Sequence, residues 1–162
     1  VDPVLMDACG QEFARLFAGV GATRVLTAEI SGIAPAVMAA RYLNLPVVYA
    51  RKSKPITMPN TVYLTVAPSH TKGHMVELIV SPEYLPRGEK VLIIDDFLAS
   101  GSTIQGLVRL VQAAGADLVG IGTLVEKSFE GGRELLAPLG VPVVSLVTIT
   151  NMDNQQITFL DD

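Results

Sequence analysis

The chain has 162 residues, 49% of them apolar and 17% charged, with a net charge of −4 and a single cysteine. That length gives one domain with a sizeable core, and a mean hydropathy of +0.43 excludes a disordered chain. The acidic balance argues against a nucleic-acid binder. The lack of an apolar run long enough for a bilayer, of a signal-peptide order and of a partner for Cys9 predicts a cytoplasmic protein that engages no membrane.

Asp2-Pro3 reads as a helix cap and first helical residue, and Leu5, Cys9, Phe13, Leu16 and Phe17 then recur at helical spacing until Gly19 or Gly21. Cys9 on that apolar side is expected to be a buried thiol. Arg24–Ala28 is a strand and Glu29–Ile33 a turn. Pro35 opens a helix that Asn44 ends, and Pro46–Ala50 is a second strand. Arg51–Asn60 is a loop carrying Pro55 and Pro59. Thr61–Ala67 and His74–Val80 are strand-like and joined by a polar tip, a hairpin or mobile flap. Val91–Asp95 is a buried strand, Thr103–Ala114 a helix, Leu118–Val125 a strand, Gly132–Leu139 a short helix and Pro142–Val147 a last core strand. The tail Thr150–Asp162 is polar. Strands alternating with helices predict an α/β fold, a mostly parallel sheet with helices on both faces. Ligands of such sheets bind beyond the carboxyl ends of the strands, which puts Glu29–Ile33, Arg51-Lys52, Asp95–Thr103 and Glu126-Lys127 on one rim.

Within that frame, Val91–Thr103 (Val-Leu-Ile-Ile-Asp-Asp-Phe-Leu-Ala-Ser-Gly-Ser-Thr) carries the clearest chemistry. Asp95 and Asp96 can accept hydrogen bonds from sugar hydroxyls, and the small residues Ala99, Ser100, Gly101, Ser102 and Thr103 let backbone amides and hydroxyls hold a phosphate at a helix start. It is not a Walker loop, since no Lys follows the glycine in the required place. Ser31-Gly32 lies in a second tight loop that serves either as a capping turn or as another anion cradle. Arg51-Lys52 supplies cations on the rim. Between Ile30 and Val76 there is no Asp or Glu, so this window is either a site for a small anion or a solvated basic loop. Lys127 is placed to donate to a carbonyl or anionic oxygen and Phe129 to stack on a ring; a solvated lysine and a packing phenylalanine would read the same. His70 and His74 lack partners at metal-ligand spacing, so no protein metal site is expected.

Taken together, Ser31–Met38, Ala50–Lys52, Val91–Ala99, Gly120–Gly122 and Val125–Phe129 resemble the type I phosphoribosyltransferases, and more narrowly their bacterial xanthine branch. The resemblance covers Val1 to about Val147. It implies transfer of a phosphoribosyl group from phosphoribosyl diphosphate (PRPP) to xanthine, giving xanthosine monophosphate and diphosphate, with Mg²⁺ held mainly through PRPP, in a homodimer. It assigns Ala99–Thr103 to the 5′-phosphate, Asp95 and Asp96 to the ribose and the charge at its anomeric carbon, and Ser31, Gly32, Arg51 and Lys52 to the diphosphate. Lys127 and Phe129 go to the base, and a flap over about 53–75 closes the site. Residues 1–162 form a single domain. The family has a hood segment before this Asp-Pro, and a chain opening on Val1 is expected to have lost it. The alternatives are the PRPP-sensing domain of a purine repressor or a transferase for another purine base.

Overall fold

A computed structural model describes residues 1–68, 75–153 and 155–160. Helix α1 (Pro3–Phe17) starts where Asp2 Oδ1 accepts from the amides of Val4 and Leu5 at 2.9 and 3.1 Å. Strand β1 (Arg24–Ala28) leads to α2 (Ile33–Leu43), which starts two residues before Pro35. Proline is tolerated in a first turn, whose amides lack intrahelical acceptors. Asn44 ends α2 in the left-handed conformation, φ 55°.

Strands β2 (Val47–Ala50), β3 (Tyr63–Pro68), β4 (Met75–Val80) and β5 (Lys90–Leu98) follow, then α3 (Ser102–Ala114), β6 (Asp117–Lys127), α4 (Gly132–Leu136), β7 (Val143–Asn151) and β8 (Thr158–Phe159). Three strands outrun their sequence signals, β7 reaching Asn151 where Val147 was expected. β5 continues past both carboxylates to Leu98, and β6 runs to Lys127, because the two pair as far as Leu98↔Glu126. The short helix from Gly132 breaks into a 3₁₀ turn at Ala137–Leu139, where Pro138 cannot extend it.

The main sheet has the order β2-β1-β5-β6-β7-β8, parallel except for β8. Neighbouring residues of β5 serve opposite layers. Leu92 and Ile94 join Phe13, Phe17, Ala36, Ala39 and Ala40 of α1 and α2, while Val91 and Ile93 join Ile104, Leu107 and Val111 of α3. Gly120 and Gly122 on β6 make room for the α1 rings, since a Cβ on either would come within 2.9 Å of Phe17. Chain order runs from β1 outward to β2 on one side and from β5 outward to β6 on the other, with crossover helices on opposite faces. The topological switch point therefore lies between β1 and β5, and their pairing ends at Leu26↔Ile93 while β5 continues.

The antiparallel ribbon β3–β4 packs on α3. Arg109 donates to Thr65 Oγ1 and to the Val66 carbonyl, both at 2.8 Å, and Leu78 lies against Gly106. The ribbon joins the main sheet through paired backbone hydrogen bonds between Arg51 and Ile79. Its tip, with His70, Lys72 and His74, lies outside the described residues. No helix among the described residues is long and apolar enough to cross a membrane.

Candidate active site at the sheet switch point

An open cleft of about 390 Å³ occupies the switch point. Ala28, Glu29, Ser31, Lys52, Asp95, Asp96, Phe97, Ala99, Gly101, Ser102, Thr103, Ile104, Lys127 and Glu130 line it. Nine of the sequence-selected residues are thus on one wall or another of a single cleft: Ser31, Lys52, Asp95, Asp96, Ala99, Gly101, Ser102, Thr103 and Lys127.

The small-residue loop forms the entry to α3. Gly101 takes φ 78°, a conformation open to glycine, and cannot cap α3 with a side chain; the Ser102 amide, first of the helix, donates to Ser100 Oγ at 3.4 Å. Ser100 is not on the cleft surface; its Oγ lies 2.8 Å from Ser102 Oγ and fixes the loop from behind. Gly132 supports the loop from below. A Cβ there would fall 2.2 Å from the Ala99 carbonyl oxygen and 2.9 Å from the Gly101 amide. Gly132→Ala is expected to lower stability by about 2 kcal/mol through this overlap, although helix propensity alone favours alanine. A denaturation midpoint at or above that of the parent would remove the overlap from the account.

Asp95 is buried, 4% exposed, beneath the cleft floor. The Asp96 amide donates to its Oδ1 at 3.0 Å, and Gly32 approaches so closely that a Cβ would lie 2.2 Å from that same oxygen and 2.3 Å from Thr27 Oγ1. Gly32 therefore acts by letting α2 start against Asp95 and does not itself reach the cleft. Burial first, and then the charge on Asp96, push the Asp95 carboxyl up to about 8; the Asp96 amide and Lys52 oppose this without reversing it. The folded chain thus binds this proton more tightly than the unfolded chain, whose carboxyl titrates near 3.8. The resulting stability is complete below 3.8 and drains away as pH rises to about 8. Asp95→Asn is expected to gain in melting temperature over the parent across that window and then hold a constant advantage. A difference that does not change with pH would contradict the burial argument.

Arg51 and Lys52 part company because adjacent residues of an extended segment face opposite ways. Lys52 joins the cleft. Arg51 lines a second cavity of about 440 Å³ with Val47, Tyr49, Met58, Pro59 and Tyr84. Between them stands Glu29, which the sequence reading did not select. Its Oε1 accepts from the Lys52 amide at 2.7 Å and its Oε2 lies 3.8 Å from Arg51 Nε. The signal for Glu29 was its place one residue beyond β1, facing a basic pair one residue beyond the adjacent strand.

Glu126, expected on the rim, is instead buried inside β6 at 1% exposure. Arg133 of α4 donates through Nε at 2.8 Å and through a second, shorter bond, and Ser145 Oγ donates at 2.7 Å. Burial alone would raise the Glu126 carboxyl, but these hydrogen bonds and the Arg133 charge outweigh it and hold the group below the usual range. Lys127 follows at the strand end. Its Nζ sits 5.4 Å from the centre of the Phe97 ring and 3.3 Å from Glu130 Oε1. The aromatic surface of the cleft is Phe97; Phe129 is 52% exposed and outside it.

Residues 12–152 match the phosphoribosyl transferase domain family. The chain belongs to that family. It is 45% identical over 162 residues to the xanthine phosphoribosyltransferase of Listeria monocytogenes serotype 4b, covering all of this chain and 84% of that relative. It is 50% identical over 151 residues to the xanthine phosphoribosyltransferase of Deinococcus deserti, covering 93% and 78%. The crystal structure of adenine phosphoribosyltransferase from Rhodothermus marinus superposes with a TM-score of 0.79 at 26% identity, covering 91% of this chain and 81% of that one. A type I phosphoribosyltransferase fold explains why the cleft lies at the switch point, and why a strand, two acids and a small-residue loop build its floor.

Proposed function

We propose that the protein transfers the phosphoribosyl group of PRPP to xanthine, releasing diphosphate and forming xanthosine monophosphate. The observation that carries this reading is the convergence of the Ala99–Thr103 loop, Asp96, Lys52 and Lys127 on one cleft. The names of the most similar relatives favour xanthine as the base.

In this reading the amides and hydroxyls at the start of α3 hold the 5′-phosphate. A ring nitrogen of the base forms the new bond to the anomeric carbon as the bond to diphosphate breaks, with its electron pair leaving on diphosphate, and the imidazole N–H proton of the base passes to the departing diphosphate. Positive charge builds on the ribose and negative charge on the leaving group. Asp96 faces the first and Lys52, with the Ser31 loop, the second, so positioning and electrostatics supply the rate. Lys127 donates to the base, and Phe97 takes the packing role first given to Phe129. Of the four acids lining the cleft, Asp95 is buried and holds its proton and Glu130 is paired with Lys127; Asp96 and Glu29 are hard oxygen donors that suit Mg²⁺ but are too few to cage it. This donor set fits an ion bound mostly through PRPP oxygens. When bound, the ion supplies charge neutralisation of the diphosphate.

The test is to supply Mg²⁺ and PRPP with xanthine, hypoxanthine, guanine or adenine separately and to measure diphosphate release. Release fastest with xanthine is expected. Tight PRPP binding with no release from any base would overturn the enzyme reading and point to a sensor domain.

A further inference from the structure

Lys127 alone would recognise only an acceptor, and every purine offers several of those. The cleft holds a second charged group beside it. Glu130 lines the cleft with Lys127 and Phe97, and its Oε1 is 3.3 Å from Lys127 Nζ. Both side chains are partly exposed, at 26% and 27%, so a ligand can reach them.

The pair is held by rigid elements. Lys127 is the last residue of β6 and pairs with Ile149 of β7; Ser128 Oγ donates to the Ile149 carbonyl at 3.3 Å, and the Glu126–Arg133 contact pins α4 just beyond the turn that carries Glu130. An ammonium over the Phe97 ring and a carboxylate beside it are therefore displayed side by side in the cleft.

We propose that Glu130 is a specificity-determining residue that, with Lys127, reads a lactam edge: a ring carbonyl next to a ring N–H. The carbonyl accepts from Lys127 Nζ while the N–H donates to the Glu130 carboxylate. Xanthine, hypoxanthine and guanine all present such an edge. Adenine presents the reverse, an amino donor beside an unprotonated ring nitrogen, which sets N–H against the ammonium and a lone pair against the carboxylate. Sites built to hydrogen-bond a substrate group reject analogues that lack it, because their own polar groups are left unpaired. This inference rests on the placement of a purine base in the cleft and adds the class of base to it.

The experiment compares the parent chain with Glu130→Ala and Glu130→Gln. It measures kcat and KM for the three 6-oxopurines, the KM for PRPP, and adenine as a competitive inhibitor. Glu130→Ala is expected to raise the oxopurine KM values roughly ten- to a hundredfold, as loss of a hydrogen bond to a charged group does, while kcat holds. The PRPP KM should stay within about twofold, and adenine inhibition should strengthen or stay level. Glu130→Gln keeps a carbonyl acceptor and should recover part of the lost KM. Unchanged oxopurine KM values, or an equal loss for adenine, oxopurines and PRPP, would overturn the proposal. A parent chain silent with every base removes the proposed function and this inference together, whereas an active parent with an indifferent Glu130→Ala variant removes only the inference.

Discussion

Asp96→Asn is expected to lower kcat by on the order of a hundredfold to a thousandfold, the usual cost of losing one preorganised charge at a reacting centre. The adjacent acids Asp95 and Asp96 are not equivalent. Asp95 is buried against Gly32 and Thr27, and burial together with the Asp96 charge keeps its proton in place to about pH 8. Asp96 stands on the cleft wall, open to a ligand. Asparagine keeps the shape and removes the charge, so the fold and PRPP binding should persist while the charged transition state loses its partner. The substitution also relieves Asp95 of a neighbouring negative charge, so its carboxyl should titrate at lower pH and the pH profile of residual activity should move with it. Steady-state turnover from pH 6 to 9 checks both parts. Near-parental kcat would take Asp96 out of this role.

Arg133→Ala should produce the largest loss of stability, about 3 kcal/mol, equivalent to a drop in melting temperature of about 6–12 °C for a domain of this size. The cause is Glu126. Taking away Arg133 strips a carboxylate of 1% exposure of its two best donors and leaves Ser145 alone with it. The figure sits at the lower end for a buried charge because the Arg133 side chain is 43% exposed and water can enter where it leaves. Arg133 also donates to the Val143 carbonyl at 2.8 Å, so β7 loses a tie to α4 as well. The sign with pH follows from the depressed Glu126 carboxyl: its contribution is present above the unfolded pKa and lost as pH falls through the folded one. The deficit of the variant should therefore shrink in acid. Urea denaturation at pH 7 and pH 4 measures it, and adding Glu126→Gln should restore part of the loss. A deficit independent of pH, with no rescue, would locate the damage elsewhere.

Periodicity and punctuation made the elements legible because those signals are local: Asp2-Pro3 capping α1, Asn44 ending α2, the unbroken apolar run of β5. Strand ends were less legible, since their extent depends on pairing. β5 and β6 each run two or three residues further because the other is there to meet it, and this carries Glu126 from the rim into the interior. Of the site, the signature strand and its small-residue loop could be read directly. The division of Arg51 from Lys52 was implicit in strand alternation. That Phe97 lines the cleft could not be foreseen without knowing that β5 outlasts its acids and that Ser128–Glu130 coils into a 3₁₀ turn. Glu130 left a trace, three residues after Lys127, and Glu29 a fainter one, since its place just beyond β1 gains meaning only once β1 and β2 are paired.

The contact of Gly132 with the Ala99–Gly101 backbone sets a rule for redesign. The turn after β6 can be recoded to accept a different base only at side chains that leave residues 131 and 132 in place. Any bulk added at Gly132 is transmitted to the Ala99–Gly101 backbone, 2.2 Å away from where its Cβ would lie. The turn after β6 and the entry to α3 thus share one backbone boundary, and under the proposed function a change to the first is felt by the second.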